Sequence, residues 1–288
     1  MQIQWFPGHM TRTLRQVQEK LRYVDIVFEL RDARIPYSSS NPKIDSICQN
    51  KPRLILFNKA KMADDKVTNA WINYYKGQGI TCLAIDSISG YNIDKIVPTA
   101  KNILKDLFEK EKAKGMKERP IKALILGIPN VGKSTLINTL AKRKVAQTGN
   151  KPGVTKNLQW INVNNELMLL DTPGVLWPKF DDKEVGLKLA VTGAIKDEIL
   201  PLDTIALYAL SFLKQHYPEK LLARYKLETL SEDNIEIMDQ IALNRGCLLP
   251  GKRIHYDRVI DIILYEIRND LLGNISWETP DILKEKRD

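Results

Sequence analysis

Residues 127–134 (GIPNVGKS) have the types and spacing needed to hold a phosphate. They fit a Gly, four residues, then Gly-Lys-Ser, in which backbone N–H groups cradle phosphate oxygens. In that pattern the lysine reaches the β- and γ-phosphates and the hydroxyl ligates magnesium, roles that fall to Lys133 and Ser134. Asn130, Val131, Gly132 and Thr135 complete the cradle. Three further motifs suit the same chemistry. Thr155, in the loop GNKPGVTK, could close on magnesium and the γ-phosphate. In the run Asp171-Thr172-Pro173-Gly174, Asp171 could hold magnesium through water while the Gly174 N–H senses the γ-phosphate. Asn58 and the stem of Lys59, followed by Ala60 and Lys61, could frame a nucleotide base. The magnesium set is then Ser134, Thr155 and Asp171, with Lys133 and Thr155 acting at the transferred phosphate.

These residues need elements to position them. Residues 121–126 (IKALIL) read as a buried parallel strand and 134–141 (STLINTLA) as a helix, the arrangement that aims a helix N-terminus at a phosphate. Upstream, a basic amphipathic helix is predicted over 10–23 and a short one over 44–48. Strands over 24–30, 53–57 and 80–85 alternate with helices over 67–76 and 92–112, which implies a parallel α/β sheet. Residues 158–163 and 167–170 read as a hairpin across Asn164-Asn165. Beyond about residue 181 strand signals fade and periodic apolar helices run to the end.

Asn58-Lys59 lies before the phosphate loop, whereas in ordinary GTPases the base motif follows it. The fold expected is therefore an α/β, circularly permuted P-loop GTPase domain with a mostly parallel sheet and helices on both faces. That domain, with an N-terminal arm, is expected over 1–180 and a small all-helical domain over 181–288. Permutation preserves the site when the original termini lie close together at the surface. It also places the 171–174 switch directly before the helical domain, so that hydrolysis could move that domain.

Composition narrows the class. The chain has 288 residues, 43% of them apolar, enough for a substantial core, and no run approaches the ~18 apolar residues of a membrane span. No basic start followed by an apolar stretch marks a signal peptide, so a cytoplasmic protein with no membrane partner is expected. Cys48, Cys82 and Cys247 are scattered without metal spacing, as thiols in a reducing compartment. A net charge of +9 suits a polyanionic partner such as RNA.

The segments WFPGHM, DARIP (32–36), GIPNVGKSTLIN, GNKPGVTK, DTPG and VTGAIKD (191–197) together resemble ribosome biogenesis GTPase A, the YlqF-type GTPases, over essentially the whole chain. The resemblance implies a cytoplasmic GTPase that cycles GTP and GDP with Mg2+, and a monomer is expected. It also implies binding to the precursor of the large ribosomal subunit, with the helical tail on ribosomal RNA. It further implies a second base-contacting loop at Asp86-Ser87, whose backbone N–H groups could read the guanine oxygen.

Two positions bear on mechanism. Family members carry Asn-Lys-x-Asp, whose aspartate accepts hydrogen bonds from the guanine ring N–H and amine. This chain has Lys61 there, a group with donors only. Asp64 or Asp65 could substitute if the loop shifts. After DTPG comes Val175, which cannot orient water as a glutamine does, so turnover is expected to be slow alone and to need activation. The candidate activators are His9, an RNA group, or a monovalent cation such as K+ near Asn130. The competing reading is a nucleotide-gated RNA-binding module with negligible turnover, or one with relaxed base choice.

Overall fold

Long apolar runs become the centre of a six-stranded sheet. The computed structural model describes residues 9–41, 47–48, 51–146, 159–172 and 182–285, with only the backbone of 9–14, 199, 284 and 285. The strands are Ile26–Asp32 (β1), Arg53–Asn58 (β2), Thr81–Ala84 (β3), Ile121–Gly127 (β4), Gln159–Asn164 (β5) and Leu167–Asp171 (β6). Their order is β3-β2-β1-β4-β6-β5, with every neighbouring pair parallel except the β5–β6 hairpin. β1 is buried at every position, as a parallel strand covered on both faces must be. The edge strand β5 instead alternates between exposed and buried residues. The predicted turn closes the hairpin: the Asn164 side chain accepts the Glu166 and Leu167 N–H groups at 2.8 and 3.0 Å.

Parallel strands bring their C-terminal ends to one edge, which therefore carries Asp32, Asn58, Gly127 and Asp171. The permuted order is thus realised in space: β1, early in the chain, lies beside the phosphate-loop strand β4, with β2 on its other side. On one face Val17 and Leu21, from His9–Lys20 (α1) and the 3-10 turn after it, pack on Val27, Leu124 and Leu170. Asp65–Gly77 (α2) covers the β2–β3 end through Trp71, and Lys133–Ala141 (α5) follows β4.

One helix differs from expectation. Residues 92–112 form a 3-10 turn and two helices, Ile96–Ile103 (α3) and Lys105–Ala113 (α4), joined at Leu104. Leu104 is buried in the core while α4 has no buried residue. In the charged segment the partly buried Phe108 is what still packs against that core.

The C-terminal part contains Lys183–Val191 (α6), Leu202–His216 (α7), Pro218–Tyr225 (α8), Asn234–Arg245 (α9) and Tyr256–Arg268 (α10). It is not purely helical: Leu248–Leu249 (β7) and Arg253–Ile254 (β8) pair as a small hairpin, turned by Gly251 at φ +79°. Its apolar side chains, among them Leu189, Ala206, Ile263 and Trp277, belong to the same buried cluster as Phe28, Leu56 and Ile125 of the sheet.

After α10 the chain returns to the sheet edge as a strap. The Asn274 side chain donates to the Lys61 and Ala63 carbonyls at 2.8 and 3.0 Å. Ile275 N–H donates to Met62 O at 3.0 Å and Trp277 N–H to Arg34 O at 2.8 Å. The Glu278 carboxylate accepts the Tyr37 and Ser38 N–H groups and the Ser38 hydroxyl, and lies 3.9 Å from the Lys188 ammonium on α6.

Candidate functional site

The phosphate loop runs from the end of β4 into the first turn of α5, whose leading N–H groups have no partner within the helix. Its conformation depends on two glycines. A Cβ on Gly127 would stand 2.8 Å from Leu30 O and 2.9 Å from the Val131 side chain. Gly132 sits at φ +98°, and a Cβ there would stand 2.4 Å from Asn58 Nδ2. Asn130 and Gly132 are both left-handed, a backbone conformation of the kind that builds anion-binding nests.

Lys133 is folded over this loop, donating to the Gly127 carbonyl at 3.0 Å and the Ile128 carbonyl at 3.2 Å. Burial pulls its ammonium down to about 8, partly opposed by the Asp171 carboxylate. Ser134 and Thr135 follow at the start of α5, half-buried. Asp171 is buried at the end of β6, paired in register with Ile125 of β4, and the adjacent Thr172 hydroxyl donates to Ile125 O at 2.8 Å. A serine hydroxyl and a carboxylate near a phosphate cradle form a hard-oxygen set of the kind magnesium takes. Thr155, Gly174 and Val175 lie outside the described residues, and His9 opens α1 with its side chain outside them.

On the base side the structure gives Asn58 a more specific place than framing. Its Nδ2 donates to Val131 O at 2.7 Å, while its Oδ1 accepts the Ser87 N–H at 3.0 Å and the Ser87 hydroxyl at 2.8 Å. One buried amide thus joins the phosphate loop to the 86–89 loop. Thr139 of α5 adds a second tie, donating to Ser87 O at 2.8 Å. The Ser87 N–H is therefore engaged, and Asp86 Oδ1 takes the Ile88 and Ser89 N–H groups at 3.1 and 2.7 Å. Ala60 N–H is bonded to Ile85 O at 3.0 Å, which fixes the turn after β2 against β3.

Lys59 is left-handed at φ +60°, and its ammonium lies 3.0 Å from Asp32, which also takes a two-pronged contact from Arg34 at 3.0 and 2.8 Å. Burial pushes the Asp32 carboxyl up, but Arg34 and then Lys59 outweigh it and hold the group well below the usual carboxylate range. Burial pulls the Lys59 ammonium down, with Asp32 opposing. Asp32 and Arg34 belong to DARIP, a segment that resemblance singled out without a task; only the neighbouring strand end reveals Lys59 as a second partner of Asp32. Sequence reasoning also missed Thr139 and the strap, which carry no local signal.

Two expectations are redirected. Asn130, considered for a cation, donates through Nδ2 to Gly193 O at 2.9 Å, so the phosphate loop is joined to the end of α6 within VTGAIKD. Arg34 reaches the same place, donating to Thr192 O at 3.2 Å. Asp64 caps α2 by accepting the Lys66 and Val67 N–H groups at 2.8 and 3.3 Å, both on Oδ1, which holds it at the helix end.

A family profile described as a 50S ribosome-binding GTPase matches residues 122–237. The Ribosome biogenesis GTPase A of Bacillus pumilus is 54% identical, over 98% of this chain and 100% of its own length. The protein of the same name from Priestia megaterium is 55% identical over 97% and 98%. Among solved structures, GDP-bound YlqF superposes with a TM-score of 0.65 at 26% identity, covering 93% of this chain and 100% of that one.

Proposed function

The chain belongs to the ribosome biogenesis GTPase A family, and on that premise we propose that it hydrolyses GTP to GDP and phosphate in the service of large-subunit assembly. In the GTP state it binds the precursor of the large ribosomal subunit and its RNA. It acts as a monomer in the cytoplasm, slow by itself and stimulated by the particle. The observation that carries this reading is the single bonded unit formed by the phosphate loop, Asn58 and the 86–89 loop. That unit ties a phosphate cradle directly to the loop read as the base-side loop, which supports their serving one nucleotide.

Ser134, Asp171 and Thr155 would hold Mg2+, which when bound neutralises charge on the transferring phosphoryl group. Lys133 exchanges its two carbonyl partners for phosphate oxygens, a trade that restores a full charge partner to a buried ammonium. Gly174 adds its N–H at the γ-phosphate. Val175 orients no water, so the activating group comes from His9, from RNA or from K+. Asn130 and Arg34 both end on the 192–193 turn after α6, the helix that follows the 171–174 switch. A change at the γ-phosphate therefore has a bonded route into the helical part, and RNA affinity follows the nucleotide state along it.

The test is GTP turnover with and without large-subunit particles, with ATP as competitor. Stimulation by the particle that ATP leaves intact supports the reading. Nucleotide-dependent, salt-steep RNA binding without stimulated turnover would replace it with a nucleotide-gated binding module.

A further inference from the structure

The fourth position of the base motif carries a cation, and the structure closes the ways around that exchange. The Lys61 ammonium lies 4.1 Å from the centroid of the Tyr91 ring. Tyr91 is fixed on the lip of the base-side loop, because its carbonyl accepts the Asp86 N–H at 3.0 Å. The chain on either side of Lys61 is clamped by the strap, through the carbonyls of Lys61, Met62 and Ala63. It cannot slide to bring a later acid into register. Asp64 is held at its helix cap through Oδ1, and Asp65 belongs to the first turn of α2. Asp86 closes its own turn, and Asp32 is taken by Arg34 and Lys59.

We propose that Lys61 is a specificity-determining residue and that the pocket does not select the 2-amino group of guanine. This deepens the nucleotide-binding reading above and rests on it. The C2 edge of guanine offers a ring N–H and an amine, both donors. An ammonium has three donors and no lone pair, so donor meets donor there. Inosine triphosphate lacks the amine and leaves one donor fewer unpaired. Xanthosine triphosphate carries an oxygen at C2 that accepts from the ammonium, which the flexible lysine stem can deliver by leaving the Tyr91 ring. The substrate class is thus 6-oxopurine nucleoside triphosphates with hydrogen, amine or oxygen at C2.

The experiment is displacement of a fluorescent GDP analogue by GTP, ITP and XTP, on the full chain and on Lys61→Asp. In the native chain ITP binds within about threefold of GTP, and XTP at least as tightly as GTP. Lys61→Asp restores an acceptor, so GTP gains about tenfold or more over ITP and XTP loses about as much. Lys61 is exposed, so the variant keeps the fold, and the native ordering is informative without it. Either a tenfold GTP preference over ITP in the native chain or an ordering that Lys61→Asp leaves unchanged overturns the proposal. A chain that binds none of the three removes the nucleotide-binding reading itself, and this inference with it.

Discussion

Replacing Asn58 with alanine breaks the joint between the two halves of the nucleotide site. The buried amide gives one hydrogen bond to Val131 O and takes two from Ser87. Alanine leaves the Val131 carbonyl and the Ser87 N–H without those partners in a place largely closed to water. Each orphaned buried group costs about 1–3 kcal/mol, so the expected loss is about 2–6 kcal/mol, toward the lower end if water enters the space. At about 2–4 °C per kcal/mol, Tm falls by about 4–24 °C. Asn58→Asp keeps the acceptor for Ser87 but sets a carboxylate oxygen against the Val131 carbonyl, so it fails at the other end of the same bridge. GDP affinity drops as well, by about tenfold or more, because ordering two unlinked loops must then be drawn from binding energy. Thermal unfolding without nucleotide and calorimetric titration with GDP measure the two effects separately. If Asn58→Ala melts within about 2 °C of the native chain and binds GDP unchanged, the bridge is not what organises the site.

The strap gives a second prediction. Glu278 is 5% exposed, and Glu278→Ala strips the acceptor from Ser38 and Tyr37 and the nearby carboxylate from buried Lys188. It should cost about 3–5 kcal/mol in urea unfolding, and Glu278→Gln clearly less. Lys133 gives a pH prediction. Because its folded pKa is lowered to about 8, the free protein loses this charge as pH rises past that value, while bound phosphates favour the charged form. GDP binding should therefore take up a proton and weaken above about pH 8, and equal calorimetric heats in buffers of different ionisation enthalpy at pH 9 would contradict it. Asp32 gives the acid limb. Its folded pKa is depressed by Arg34 and Lys59 against burial, so its stabilisation is present above the unfolded value of about 3.9 and is lost as pH falls below that. Asp32→Asn should flatten the acid limb of the stability profile below about pH 4; a native-like limb in that variant would assign the acid sensitivity elsewhere.

Much of the fold is legible in the chain because parallel strands covered on both faces must be continuous apolar runs. IVFEL, RLILF and IKALIL announce themselves in that way, and each predicted strand lies within two residues of the observed one. The 164–165 turn was equally local, since one asparagine side chain closes it. The long helix over 92–112 was not legible, because its periodic pattern gives no sign that Leu104 is buried and that no residue of Lys105–Ala113 is. The small 248–254 hairpin is two residues to a strand, below what alternation can register.

The sequence by itself determined the chemistry available and its order along the chain. The phosphate loop depends on a local left-handed turn that Gly132 supplies, and the permuted order is a property of linear position. The tertiary structure alone decided who works with whom. Asn58 meets Val131 across 73 residues, Arg34 meets Thr192 across 158, and Asn274 meets Lys61 across 213. Hydrogen bonds of that span leave no periodicity and no spacing to read. They exist because the parallel sheet gathers its strand ends at one edge, and because the chain after α10 returns to that edge to clamp the residues the sheet has placed there.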